Sequence, residues 1–301
     1  TVMSQEFEIS LDTIQRLYQE TIGIHVDEII DTAYAFIESP YVDKVYRDSY
    51  YTYFSSKFGK YKRDCIRLSF FDGEIREENF ISEAEIDLLQ RRYLGFMIIR
   101  PTEPFFLGRS AISQHGVKTN HFLNVDATIN ATVNAVKFSV KGFPHSSQDT
   151  ETITCAETTL WALMEYFGTK YPDYNPAPPS KIISALKKVS AERQVPSKGL
   201  NIQQIAFALK EFGFGTKIYS RSEFGKAEFK RLFSTYIESG IPIVVALENT
   251  MHGGTIGHAI LSIGREKTTE QHIDGLAATD ENDAEIRALI QSKNLLFFDN
   301  D

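Results

Sequence analysis

The sequence predicts an α+β chain in two parts, residues 1–142 and 143–301, and three observations carry that expectation. Apolar residues recur at helical spacing in the first forty positions and again between 156 and 209. Short apolar runs bounded by turn residues, among them 65–71, 95–100, 243–247 and 258–263, read as strands. Near Phe143-Pro144 the order changes, from a mixed first part to a second in which helices come first and strands follow. At roughly 100–200 residues per domain, a chain of 301 residues is expected to form two units.

In the first part, Ile9, Leu11, Ile14, Leu17 and Tyr18 define one helical face. Ile24, Ile29, Ile30, Ala33 and Phe36 define a second, which Pro40 is expected to end. Residues 46–58, crowded with Tyr and Phe, carry no firm assignment. A strand over 65–71 runs into the turn pair Asp72-Gly73. Ser82, with Glu85 three residues later, matches a capping box that opens a helix through Leu88 and Leu89. The nearly continuous apolar run from Gly95 to Arg100 stops at Pro101 and reads as a buried strand. Across the end of 120–142, Val133, Ala135, Phe138 and Val140 are set among polar neighbours.

In the second part, Leu160, Leu163, Met164 and Phe167 share one face of a helix over 156–167, which Gly168 is expected to end. A loop with Pro172, Pro176, Pro178 and Pro179 leads to a helix over 182–189. Ile202, Ile205, Ala206 and Leu209 mark another, closed by Gly213. Strands are expected at 216–219, 243–247, 258–263 and 295–298. The chain has no internal repeat.

Composition removes several function classes. A net charge of −8 and a pI near 5.5 argue against a nucleic-acid binder, which needs clustered Lys and Arg. No apolar run approaches the roughly 18 residues that would span a bilayer, so no membrane partner is expected. The first residues lack the basic flank and apolar stretch of a signal peptide. Thr1 in place of Met is compatible with a leader or tag already removed. Cys65 and Cys155 are too few and too far apart for a disulfide framework or a Cys-rich zinc site. A soluble, cytoplasmic chain is the expectation.

The informative position is Cys155, where the polar stretch from Gln148 to Thr154 becomes an amphipathic helix. A thiol there faces unpaired N–H groups and the positive end of the helix dipole, and both favour the reactive thiolate. Such a nucleophile needs a base. His258, after Gly257 and before an apolar strand, is the match, with His252 and His145 as rivals. The next strand ends on Asp299, a carboxylate able to orient an imidazole, and Asn300 is its alternative. Gln148 has a side-chain amide that can join the Cys155 N–H in holding an oxyanion. No histidine spacing fits a common metal pattern.

These residues resemble the papain-like cysteine peptidase superfamily: a glutamine upstream, a Cys opening a helix, a later Gly-His-Ala before a strand, and an acid or amide ending the next strand. The likeness covers residues 143–301 and is closer to bacterial members than to the cathepsins; Thr154 and Ala156 flank Cys155, where cathepsins have Gly and Trp. It implies a helical lobe carrying the nucleophile and an antiparallel β-sheet lobe carrying the base. It also implies acyl transfer through a thioester on a peptide or protein substrate, with neither metal nor organic cofactor. A transglutaminase-like or other acyltransferase with the same residues is an alternative, and so is a binding protein with an idle site. Cys65 is read as structural, Trp161 as core, and Asp149, Arg91, Arg92 and Arg109 as solvated charges.

Overall fold

The computed structural model describes residues 2–57, 61–102, 106–149, 154–188, 200–248, 257–267 and 295–298. The chain opens with α1 (Val2–Phe7), α2 (Leu11–Leu17), a wider helical turn at Tyr18–Ile22, and α3 (Gly23–Asp27). Ser10 caps α2, its hydroxyl accepting from the Thr13 amide at 3.2 Å. The expected second helical run stops short, because residues from Ala33 onward form β1 (Ala33–Tyr41). That strand pairs antiparallel with β2 (Cys65–Asp72), and Pro40 falls where the register shifts between Glu38 and Tyr41. An edge strand with such an irregularity tolerates a residue that cannot donate to the ladder.

The aromatic stretch is a helix, α4 (Lys44–Thr52), capped by Asp43, whose carboxylate accepts from the amides of Val45 (3.1 Å) and Tyr46 (2.8 Å). Its helical signal is Tyr46, Tyr50 and Phe54, four residues apart, with the Tyr46 ring near both others (centroids 6.3 and 5.9 Å). After β2 come α5 (Glu83–Arg92), β3 (Tyr93–Ile99) and β4 (Ala111–Ile112). Ser82 sits at the cap of α5 without a side-chain capping bond; Glu85 instead accepts from the Asn79 carboxamide at 3.2 Å. The helix is present, the capping box is not.

The first sheet runs β1-β2-β3-β4, antiparallel throughout. All of β3 is buried because both faces of the sheet are covered. Phe96 and Ile98 pack towards the hairpin of β6 (Ala127–Val133) and β7 (Val136–Gly142). Leu94, Met97 and Ile99 pack with Phe7, Ile14, Leu17 and Ile22 of the N-terminal helices. This is why β3 reads as a continuous apolar run instead of alternating. Asn134 and Ala135, at φ of 44° and 66°, make the hairpin turn, so Ala135 turns the chain and does not extend the strand face.

The second half contains α6 (Cys155–Lys170), α7 (Pro179–Leu186), α8 (Ile202–Glu211) and α9 (Lys226–Glu238), then β8 (Ile243–Glu248), β9 (Gly257–Glu266) and β10 (Leu295–Phe298). α6 passes through Gly168 and does not end there. A Cβ on that residue would stand 2.3 Å from the Pro176 nitrogen, so the missing side chain admits the Pro-rich loop. Gly213, at φ +92°, does follow α8. Residues 216–219 form no strand. α9 escaped the sequence reading, although Phe229, Phe233 and Ile237 are spaced as a helical stripe and the last two are buried.

β9 is the centre of a second antiparallel sheet, with β10 on one side and β8 on the other. Beyond β8, the same edge pairs with β5 (Phe122–Asn124), a strand from before residue 143. The Val125 amide adds a bond to the Ile263 carbonyl at 2.8 Å. The core around α6 likewise draws Val45, Val125 and Ala127 from the first part, beside Leu160, Trp161, Leu163, Ala259 and Leu261. Glu165 of α6, 2% exposed, accepts from Arg109 Nε at 2.9 Å and pairs with Lys44 at 3.2 Å. Arg109 is therefore largely buried, with its side chain 14% exposed, and is not the solvated cation its sequence context suggests, because Glu165 offers a partner inside. The expected boundary near residue 143 is crossed by hydrogen bonds, apolar packing and ion pairs. The fold is mixed helix and strand with antiparallel sheets. No described helix is long and apolar enough to cross a membrane.

Candidate active site

Cys155 is the first residue of α6 and is partly buried against the core. Thr154 precedes it in extended conformation, and Glu157 completes a capping box. The Thr154 amide donates to Glu157 Oε2 at 3.2 Å, and the Thr154 hydroxyl donates to the same oxygen. The sequence reading passed over this Thr-x-x-Glu pattern, which is a capping-box signature. Glu157 is 1% exposed, so a carboxylate sits inside the first turn of this helix. The sulfur stands at the positive end of the helix dipole, a position that favours an anion.

One turn further on, Thr159 donates its hydroxyl to the Ala259 carbonyl at 3.0 Å, within the core. Thr159 follows Cys155 by four residues and so shares its side of the helix. Ala259 follows His258, which is the second residue of β9 and pairs with Leu247 of β8. The fold thus sets the opening turns of α6 against the leading end of the strand that bears His258. His258 is partly buried there. Asp299, Asn300 and the rival His252 lie outside the described residues.

Gln148 is half-buried in a loop held by the first part of the chain. His145 and Ser110 exchange backbone bonds at 2.8 and 2.7 Å, and the Ser147 amide donates to the Leu107 carbonyl at 3.0 Å. The rival His145 packs its ring against His25, centroids 5.6 Å apart. Burial lowers the pKa of His25. Asp149 is 5% exposed and is not the exposed loop acid its position suggests. It faces Arg100, the residue that ends the apolar run of β3, and that guanidinium is 4% exposed. Cys65, 1% exposed within β2, has its thiol pushed well up by burial and is a core residue.

Among the described residues, no group of three or more His, Cys, Asp or Glu is arranged to hold a metal ion. A concavity of about 820 Å3 lies between the N-terminal helices and the first sheet, lined by residues such as Met3, Leu11, Ile14 and Ile66. None of Cys155, His258 or Gln148 lines it. Arg100, Thr159 and the burial of Asp149 were missed in the sequence, since each depends on a partner distant along the chain. No family model matches the chain, and no curated protein or solved structure matches it either.

Proposed function

We propose that the protein is a papain-like cysteine hydrolase acting on peptide or protein substrates, with a helical lobe that carries the nucleophile and an antiparallel sheet lobe that carries the base. One observation carries this reading: the helix opened by Cys155 is joined, one turn on, to the strand residue that follows His258. In this mechanism the His258 imidazole takes the Cys155 proton, and the thiolate attacks the substrate carbonyl carbon. The Cys155 amide and the Gln148 carboxamide donate to the oxyanion. Collapse breaks the scissile C–N bond, the imidazolium protonates the leaving amine, and a thioester remains. Water, deprotonated by His258, then releases the acid and restores the thiol. Asp299 or Asn300 orients the imidazole.

Labelling with a cysteine-directed electrophile across pH, followed by mapping of the modified residue, tests the assignment. Cys155 is expected to react well below the usual thiol pKa of about 8.5, and buried Cys65 to stay unlabelled in the folded protein. Cys155→Ala should abolish turnover of a peptide library while leaving the fold intact. Full turnover by that variant would overturn the proposal. Product masses that change when a primary amine is added would move the reaction to acyl transfer.

A further inference from the structure

We infer that Arg100, contributed by the first half of the chain, is the positioning residue for the loop that carries Gln148. The inference rests on the cysteine-hydrolase reading and names a part of that site outside residues 143–301. Arg100 Nη2 donates to the Ser147 carbonyl at 3.0 Å and to the Gln148 carbonyl at 3.4 Å. The next residue, Asp149, is buried and supplies the strongest electrostatic support for the guanidinium, which burial otherwise disfavours. Asp43, the buried cap of α4, adds a weaker favourable field. One planar cation therefore bonds two successive carbonyls and sits in the favourable field of the carboxylate after them.

The geometry suits arginine specifically. Both bonds leave Nη2, whose two N–H groups are fixed in the guanidinium plane, whereas a lysine ammonium turns freely on a flexible stem. An oxyanion donor is useful only when it is already in place as charge develops, so a loop that drifts weakens catalysis even when Cys155 and His258 are untouched. Backbone carbonyls gripped before and after the Gln148 Cα fix where its side chain starts. The Ser147–Leu107 bond and the His145–Ser110 pair hold the loop's earlier residues, and Arg100 holds its end.

The experiment compares wild type with Arg100→Lys in three readouts. Alkylation of Cys155 by iodoacetamide needs no oxyanion donor, and its rate should change by less than about threefold. Acylation of Cys155 by an activated peptide ester does need one, and should slow by about tenfold or more. Hydrogen exchange in a peptide covering 143–149 should lose protection. Because the effect acts through Gln148, Arg100→Lys placed on a Gln148→Ala background should slow acylation little further. If Arg100→Lys does not fold, Asp149→Asn replaces it, and the same selective loss of acylation is expected. Equal effects on alkylation and acylation, full additivity with Gln148→Ala, or unchanged exchange at the loop would each overturn the inference. A wild-type Cys155 that accepts neither reagent would defeat the hydrolase reading, and with it any bearing of the Arg100-held loop on acylation. The exchange readout then separately decides whether Arg100 fixes the loop.

Discussion

Replacing Thr159 by Val removes one hydroxyl at near-constant volume from the contact between α6 and β9. Thr159 is 0% exposed, and its hydroxyl gives the Ala259 carbonyl a bond at 3.0 Å across a sequence separation of 100 residues. A buried neutral hydrogen bond contributes about 0.5–1.5 kcal/mol net, and an acceptor left dry adds to the loss. Among the described residues Ala259 pairs only with Ala246 of β8, the β10 pairing beginning at Leu261, so part of that second cost stands. The expected destabilisation is about 1–2 kcal/mol. With a urea slope of about 3 kcal/mol/M, that lowers the unfolding midpoint by about 0.3–0.7 M with the slope unchanged. Thr159→Ser keeps the donor and loses a methyl, so it should unfold through cavity cost alone and leave Cys155 labelling intact. The Val variant should slow labelling or turnover as the two elements loosen. A Val variant as stable as wild type, with identical Cys155 reactivity, would show that this bond does not hold the site together.

Gly168→Ala sets helix propensity against sterics. Alanine favours a helix interior by about 1 kcal/mol over glycine, but here the new Cβ would meet backbone of the Pro-rich loop at 2.3–2.6 Å. Overpacking of this kind costs about 1–3 kcal/mol, so a lower midpoint is expected on denaturation, and a raised one would refute the packing account. His25 gives a pH test. Burial depresses its folded-state pKa, so the unfolded chain takes up the proton first. The stability this group contributes is full above its ordinary value near 6.5 and is lost as pH falls towards the depressed folded value. In His25→Gln that contribution is absent, and the stability gap from wild type should be larger at pH 7.5 than at pH 5.5. A gap independent of pH would remove His25 from the account.

Local signals in the sequence were strong where one element carries its own pattern. The strand over Cys65–Asp72, the buried run of β3, the helix opened by Cys155 and the stop at Gly213 all follow from short-range rules of turn chemistry and periodicity. Failures arose where tertiary partners decide. Apolar residues from Ile24 to Phe36 share a helical period, yet from Ala33 onward the chain extends, because β2 offers a ladder and the edge accepts Pro40. Gly168 looked like a stop and is a contact surface for Pro176. In the candidate site, the residue types at 148, 155 and 258 could be read as proposed chemistry, but the hydroxyl at 159 and the guanidinium at 100 could not. Their meaning lies in Ala259 and in the Ser147–Asp149 segment, and no spacing rule links positions that far apart.

The division of labour between the two halves follows from where unsatisfied groups would appear if they were separated. Without β5, the far end of β9 would present a bare edge at 264–266, and an unpaired ladder recruits other chains. Without Lys44 and Arg109, Glu165 would remain as a buried carboxylate on α6 with both cations gone, a cost of several kcal/mol. Removing Arg100 strips the same support from Asp149 at the entrance to that helix. All three losses fall on α6, on β9 or on the loop before Cys155, which are the elements that the proposed chemistry needs held still. The first 142 residues are thus bound to the proposed reaction through its scaffold, even though they supply neither the sulfur nor the imidazole. A substrate-recognition role for that half would have to be built on top of this structural one, because Lys44 and Arg109 already pair with Glu165 of α6.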